Sequence, residues 1–251
     1  MIRNLVVILM ITAVSLTSDA GHWLVDSITT EGHIGYNIGG TAPIGMPATI
    51  RHLDKYELTP SLRVGVSVTK RLSSRWGLRA GLQFENKGMK TDARVKNYKM
   101  EMVKGGEVLG GVFTGNVVTR TGLWMFTIPI QATCKLSHKV SLRAGVYGSY
   151  LTGRFFDGWA YDGYLRVDDP TGLKVQLGHD AGERGDYDFN SNLRHWQWGV
   201  GAGVDWYFHR RLGLYGELNW GMSGAFKSDF KTIEQTMHPI YGSIGLTYRL
   251  H

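Results

Sequence analysis

The sequence is poor in several features that define common protein classes. Its 251 residues include a single cysteine, Cys134, so no disulfide can form within the chain. After an apolar N-terminal stretch at 5–16, no run is long enough for a transmembrane helix. Prolines number only six, and no segment after that stretch has a convincing amphipathic helical pattern. The sequence therefore excludes a disulfide-stapled scaffold and a helical membrane protein.

The first residues have the pattern of an export signal. Arg3 supplies a positive charge, residues 5–16 are apolar, and a small-residue site ends at Ala20. We predict a cleaved signal peptide at 1–20 and one β-barrel domain at 21–251, with a buried N-terminal helix as the alternative. The net charge of +7 on an exported chain favours anionic lipid or sugar as a partner over nucleic acid.

Glycine and aromatic residues are abundant, with 34 glycines and 12% aromatics. Apolar and polar residues alternate with a period of two through eight segments, which is typical of strands. The eight predicted strands are 28–39, 56–70, 75–88, 120–136, 139–155, 193–208, 211–226 and 238–250. The composition and the period together predict an all-β protein.

The connections between the predicted strands alternate in length. Three are tight turns of a few residues, and four are longer: 40–55, 89–119, 156–192 and 227–237. This alternation is typical of outer-membrane barrels with short periplasmic turns and long extracellular loops. The sequence therefore predicts an eight-stranded antiparallel up-and-down transmembrane β-barrel in the bacterial outer membrane. A soluble barrel has no need of this asymmetry.

Aromatic residues indicate which face of the predicted barrel meets lipid. Trp196 and Trp206 are ten residues apart, which is about 33 Å of extended strand and roughly 25 Å of height after tilting. Aromatic rows at that separation match the two interfaces of a bilayer, whereas a soluble core with scattered aromatics is the alternative. The predicted membrane-interface aromatics are Trp76, Trp124, Tyr150, Trp196, Trp206, Phe208, Trp220 and Tyr248.

Charged residues recur on the opposite face, which would line the lumen. Eight strands enclose a space just wide enough for side chains, and buried charges are costly unless they are paired. We therefore predict a lumen ion-pair network of Arg63, Arg79, Glu85, Lys135, Arg143, Asp205, Glu217 and Arg249. Such a network favours a stabilising plug over a conduction path.

Pro129 lies inside the predicted strand 120–136 and on its lumen face. Proline lacks the backbone N–H that the ladder requires, and a closed barrel has no edge at which to place it. We predict a local bulge at Pro129, or a lumen polar group or water at the unpaired carbonyl.

No residue spacing identifies a catalytic, cofactor or metal site. The glycines at 199, 201 and 203 lie within a strand and no helix follows, so a phosphate-binding loop is not formed. The run Asp186-x-Asp188-x-Asn190 lacks the glycine and the final acidic ligand of a calcium loop. His195 and His238 lie near the predicted rim without an identifiable nucleophile and base. We therefore expect no enzymatic activity and no cofactor; a rim lipid-modifying hydrolase is the alternative.

The two longest predicted connections are the candidate recognition elements. Long loops on a rigid scaffold commonly carry binding residues. The connection 89–119 is rich in lysine and arginine, and the connection 156–192 mixes aromatic and acidic residues. We predict contacts with outer-membrane lipid and lipopolysaccharide, and a protein partner in the outer membrane or at the cell surface.

Three segments carry a family resemblance: GLQFENKGMK at 81–90, WMFTIPIQATCKL at 124–136 and RAGVYGSYLTG at 143–153. In their order and spacing they resemble the PorT-like outer-membrane β-barrel family. The resemblance implies an eight-stranded outer-membrane barrel, and one founding member is linked to type IX protein secretion. No catalytic motif is available to carry over. The predicted function is an accessory subunit of an outer-membrane complex or a surface recognition module, with a hydrolase or a narrow pore as alternatives.

Overall fold

The computed structural model describes residues 28–43, 47–59, 61–230, 232 and 236–250. The predicted signal peptide at 1–20 lies outside these residues. The described part of the chain forms one antiparallel sheet of eleven strands and a single 3-10 turn. A helix long and apolar enough to cross a membrane is not found there.

The strands follow one another along the chain with few other elements between them. Their bounds are β1 Ile28–Pro43, β2 Ile50–Leu58, β3 Leu62–Arg71, β4 Trp76–Lys104, β5 Glu107–Lys135, β6 Val140–Val167, β7 Lys174–Leu177, β8 Gly185–Asp188, β9 Trp196–Tyr207, β10 Leu212–Gly221 and β11 Met237–Arg249, and the 3-10 turn is Asn190–Asn192.

Eight of these strands pair in a closed ring, in the order β1, β3, β4, β5, β6, β9, β10 and β11. The last strand pairs with the first, from Glu31 opposite Arg249 to Pro43 opposite Met237. Each ring strand contains or overlaps one of the eight predicted segments. Ring closure pairs the strand edges that an open sheet would leave exposed.

Tight connections of four residues join β3 to β4, β5 to β6, and β9 to β10, all at one end of the ring. We call this end the turn end and the opposite end the loop end. The predicted long connection at 89–119 is instead a regular hairpin at the loop end. There β4 and β5 pair as far as Lys104 opposite Glu107, around Gly105 and Gly106, whose φ angles are +61° and +88°. The alternating pattern did not reveal this hairpin because a register shift between Val95 and Tyr98 interrupts the period of two in β4.

The extensions of the ring strands build a second unit, the loop-end lobe. It consists of β2, residues 89–104 of β4, 107–121 of β5, 155–167 of β6, and the short strands β7 and β8. The strand β8 pairs with β6 and also meets β4, where Val103 lies opposite Asp186, so the sheet curls round. Buried side chains fill its centre, among them Met102, Phe113 and Leu165. The predicted loops are therefore largely ordered strands with an apolar core.

The interruption at Pro129 differs from the predicted bulge. Pro129 is buried on the lumen side and pairs with Tyr147 of β6. Towards β4 the pairing stops at Ala80–Ile130 and resumes at Gln83–Thr127 in the same register. The strand therefore tolerates the missing N–H by a gap in the ladder without an inserted residue.

Candidate functional site

The lumen contains a compact cluster of buried ions centred on Arg143. Its guanidinium donates hydrogen bonds to both Asp205 and Glu217, with Nη2 2.7 Å from the Glu217 carboxylate. Arg63 donates to the same Glu217 at 3.0 Å, and to Gln83 at 2.6 Å. The Glu217 carboxylate of β10 therefore links Arg63 of β3 to Arg143 of β6, and Asp205 adds β9 as a fourth strand. All four of these charged side chains are buried in the lumen.

The cluster continues towards the turn end through Arg79. Its guanidinium lies 3.0 Å from Asp205 and 3.4 Å from Glu31, and it donates to the ring of His33 at 2.7 Å. Arg249 reaches the same Glu31 carboxylate at 3.4 Å. Because each buried guanidinium meets a carboxylate, part of the desolvation cost of the charges is offset.

The structure thus brings seven of the eight predicted lumen ions into ion pairs. Arg63, Arg79, Arg143, Asp205 and Glu217 form the central cluster, Glu85 pairs with Lys87 at 3.0 Å, and Arg249 lies half-exposed at the turn end. Lys135 is exposed at that end, and within the described residues it joins no ion pair.

Sequence reasoning missed Glu31, His33 and Lys87 as members of the network. The alternation in β1 places Glu31 and His33 on the buried face together with Asn37. The period of two along β1 was therefore the sequence signal that could have identified Glu31 and His33.

The eight predicted interface aromatics all project outward from the ring and are exposed. Tyr150 and Trp196 pair across β6 and β9 near the loop end, with ring centroids 4.9 Å apart. Trp206 and Phe208 are close neighbours near the turn end. Between the two aromatic rows the exposed face is aliphatic, with Val66, Ile130, Val146 and Leu246 among its members.

The interior changes character towards the loop end. Above the Arg143 cluster the inward side chains include Leu123, Met125 and Leu151, all almost fully buried. They are continuous with the apolar core of the loop-end lobe. Apolar side chains therefore share the upper part of the interior with the buried Glu85–Lys87 pair, and the prediction of a polar lumen did not include this apolar layer.

A cavity of about 480 Å³ lies beside this apolar layer, within the loop-end lobe. Its walls include Met89, Val95, Met100, Val117, Phe156 and Phe189. None of the described residues that line it carries a charge. Its volume lies within the range of roughly 300–1,000 Å³ that is usual for ligand pockets.

One side of the cavity is bounded by a seam between β1 and β2. The strand β3 pairs with β1 only as far as Tyr36, and β2 pairs only with β4. The β1 edge beyond Tyr36 therefore has no backbone ladder to β2 among the described residues. A side chain spans the gap, because the Tyr56 hydroxyl donates to the Gly39 carbonyl at 2.5 Å.

The surface of the lobe at β2 and β4 is basic. Lys55 and Lys90 both contact Glu57, and hydrogen bonding to them, first to Lys55, holds the pKa of Glu57 below its ordinary value. Arg51, Lys96 and Lys99 are exposed on the same part of the lobe, and no ion pair includes them within the described residues. This basic edge, defined by Arg51, Lys96 and Lys99, retains free positive charge.

The rim histidines are held in structural contacts. The ring of His195 stacks on Tyr150, and Nδ1 of His238 lies 2.8 Å from the Gly221 carbonyl. Within the described part of the chain, neither imidazole hydrogen-bonds a serine or a carboxylate. A search of the same residues finds no group of three or more His, Cys, Asp or Glu that could hold a metal.

Comparison with known proteins gives three findings. Residues 26–227 match the sequence profile of the family described as outer membrane protein beta-barrel domain. The attachment invasion locus protein Ail of Yersinia pestis, solved with the heparin analogue sucrose octasulfate, is similar at 11% identity, covering 89% of this chain and 99% of that chain, with a TM-score of 0.39. CarO2 of Acinetobacter baumannii is similar at 11% identity, covering 88% and 99%, with a TM-score of 0.40. Comparison with curated proteins gives no match.

The profile match spans most of the chain, including seven of the eight ring strands. It agrees with the closed ring, the aliphatic exposed face and the two aromatic rows described above. The chain is therefore a bacterial outer-membrane protein that belongs to the outer membrane protein beta-barrel domain family.

Proposed function

We propose that the chain is a surface recognition module in which the eight-stranded ring crosses the outer membrane as an up-and-down barrel and the loop-end lobe projects from the cell. The three tight connections, the start of β1 and the end of β11 all lie at the turn end. Short turns and chain termini are typical of the periplasmic side of such barrels. In this orientation the lobe is extracellular.

The observation that carries the proposal is that the loop-end lobe has a well-defined, packed structure. Its strands pack around buried Phe113 and Leu165, and its β8 strand ties β6 to β4. A surface held in one conformation loses little entropy when a ligand binds. The lumen below is filled by the Arg143 cluster and by Leu123 and Met125. We therefore favour recognition over a narrow pore.

The basic edge suggests an anionic ligand, with lipopolysaccharide phosphates and surface polysaccharides as the chemical class. We expect the triple variant Arg51→Glu, Lys96→Glu, Lys99→Glu to bind polyanions at least about 100-fold more weakly, since each cation near an anionic surface contributes about 1 kcal/mol. Binding of the purified full chain to dextran sulfate and to lipopolysaccharide vesicles measures this, at two salt concentrations.

A matched control reverses Asp180 and Glu183 to lysine, on the β7–β8 side of the lobe, where both side chains are exposed. This variant should keep or increase polyanion binding. Equal binding by the wild type and the basic-edge variant would contradict recognition through this edge.

A second candidate function is that of an accessory subunit in a larger outer-membrane complex. Exposed apolar side chains near the tip of the lobe favour it, with Val108 64% and Leu173 75% exposed. We expect Val108→Asp with Leu173→Asp to lose any protein that co-purifies with the wild type after mild detergent extraction. Co-purification of the same proteins with this variant would show that the tip of the lobe does not bind them.

We also propose that the chain falls within the PorT-like branch of its family, because of the three segments quoted above. This proposal does not assign a secretion role to the chain. The proposal includes no catalytic step. The contacts of His195 and His238 support this, because they supply neither a base–nucleophile pair nor a metal site among the described residues.

A further inference from the structure

We infer that the cavity of the loop-end lobe binds a single apolar chain, the aliphatic tail of a lipid or of a free fatty acid, which enters through the seam between β1 and β2. The inference rests on the proposed orientation of the barrel and names a ligand class for the extracellular lobe.

The chemistry of the cavity selects an apolar occupant. The wall residues are mainly aliphatic, aromatic and methionine side chains. The hydroxyls of Tyr56 and Tyr187 are already used, whereas the buried Thr41 Oγ1 has no hydrogen-bond partner among the described residues. Tyr56 donates to the Gly39 carbonyl, and Tyr187 donates to the Val118 carbonyl at 2.8 Å and contacts the Thr119 hydroxyl at 2.7 Å. A charged or highly polar ligand would lose its hydration and find few partners among these walls. Ordered water would also have few partners there.

Methionine makes the walls adaptable. Met89, Met100 and Met237 all line the cavity. Their unbranched thioether side chains can change rotamer with little cost, which suits a flexible chain better than a rigid polar molecule.

The seam gives the cavity an opening to the outside of the ring. Four residues on its border line the cavity yet remain substantially exposed: Ile38 at 46%, Leu53 at 44%, Tyr56 at 39% and Ile240 at 38%. A side chain that touches both the cavity and the exterior marks a route between them. The hydrogen bond from the Tyr56 hydroxyl to the Gly39 carbonyl crosses this route, and at its ring end the Tyr36 hydroxyl donates to the Thr59 carbonyl at 2.7 Å.

The opening lies at the height of lipid tails rather than far above them. Ile240 is directly opposite Trp220 in the β10–β11 ladder, and Trp220 belongs to the loop-end aromatic row. Such rows mark the boundary between headgroups and hydrocarbon. A tail of the outer leaflet therefore reaches the seam without crossing water, whereas a water-soluble ligand would have to pass the apolar border residues. This position favours an aliphatic chain over a soluble apolar molecule.

Photo-crosslinking of the full chain tests the inference. The protein is placed in nanodiscs and exposed, in separate arms, to palmitate carrying a diazirine on its tail and to phosphatidylethanolamine carrying the same group. We expect labelled peptides from both cavity walls, around Met89–Met100 and Val117, in addition to peptides of the lipid-facing belt. Labelling in only one arm identifies the source of the chain as a free fatty acid or a membrane lipid.

Filling the cavity should remove the label. Ala93 lines the cavity and is only partly buried, so Ala93→Trp places a large ring in the space that the chain would occupy. We expect cavity labelling to fall at least about tenfold, with labelling of the lipid-facing belt unchanged as the internal reference. The matched control, Val108→Trp, places the same ring at the exposed tip and should label like the wild type.

Tyr56→Phe removes the hydroxyl that spans the seam and leaves the cavity walls in place. We expect faster cavity labelling in this variant, with the same peptides labelled. Heat-modifiable migration on gels confirms that each variant folds. The inference is overturned if the wild type is labelled only on the lipid-facing belt, or if cavity labelling of Ala93→Trp equals that of the wild type.

These outcomes are separable from the proposed function. The basic-edge variant should keep full cavity labelling, because its three residues do not line the cavity. Equal polyanion binding by the wild type and the basic-edge variant, with intact cavity labelling in both, would overturn recognition through the basic edge and leave the lipid site standing.

Discussion

Replacing Arg143 by alanine is expected to lower the free energy of unfolding by about 3–5 kcal/mol, the usual cost of removing one partner from a buried ion pair. Arg143 is 4% exposed and is bound to both Asp205 and Glu217. Its loss leaves Asp205 with Arg79 and Glu217 with Arg63. Two buried carboxylates then share two guanidiniums instead of three, and the lumen gains a void beside Gly203.

Urea unfolding of the barrel in lipid vesicles, followed by tryptophan fluorescence, measures this change. The matched control is Arg120→Ala, which breaks the exposed pair with Asp157 on the loop-end lobe and should cost at most about 1 kcal/mol. Arg143→Lys keeps the charge but cannot hold both carboxylates in the same geometry, so we expect an intermediate cost. An equal, small cost for Arg143→Ala and Arg120→Ala would show that the lumen cluster is not a stabilising plug.

Replacing Ile130 by arginine is expected to cost about 2–4 kcal/mol, because a cation at the bilayer midplane of a barrel must leave water. Ile130 is exposed on the ring and lies midway between Trp124 of the loop-end row and Leu136 beside the turn between β5 and β6. Its backbone partners are Ala80 and Val146, so no lumen group can neutralise the added charge from inside. The cost should appear as weaker folding into vesicles.

The control for this change is Leu136→Arg, at the turn end of the same strand, where headgroups and water can solvate the guanidinium. Its cost should be about 0–1 kcal/mol. Reversible folding into vesicles of defined thickness gives both values. Equal costs at the two positions would contradict the placement of the exposed aliphatic face in hydrocarbon, since a water-exposed face would accept either arginine with little change.

Alternation along each strand predicted much of the ring and of its two faces. Leucine and valine recur at every second position of β3, and tryptophan, valine and alanine at every second position of β9. The structure exposes them, while the intervening Arg63, Gln197 and Asp205 are buried. A strand places successive side chains on opposite faces whatever its neighbours are, so this information is local. The aromatic rows could also be predicted from the sequence, because their separation depends only on distance along a strand.

The loop-end lobe was not predictable in the same way. Each extra residue in a strand changes which face the following residues take. The strand β4 has one between Val95 and Tyr98 and β6 has one between Tyr161 and Tyr164, so the period of two does not persist through these strands. The folding of β2 onto β4, with its own irregular register, joins residues that no local pattern relates. The cavity and its seam exist only because of that pairing.

The sequence by itself determined the strand faces, the polar interior around Arg143 and the aromatic rows, because each depends on short-range alternation. The tertiary structure alone decided which charges meet. Arg63 and Glu217 are 154 positions apart and Arg249 and Glu31 are 218 apart, and they contact each other only when the ring closes in one register. The tertiary structure also decided that Lys135 lies outside the ion-pair network and that β1 and β2 are separated by a seam. Both features depend on how far each strand extends beyond its neighbour.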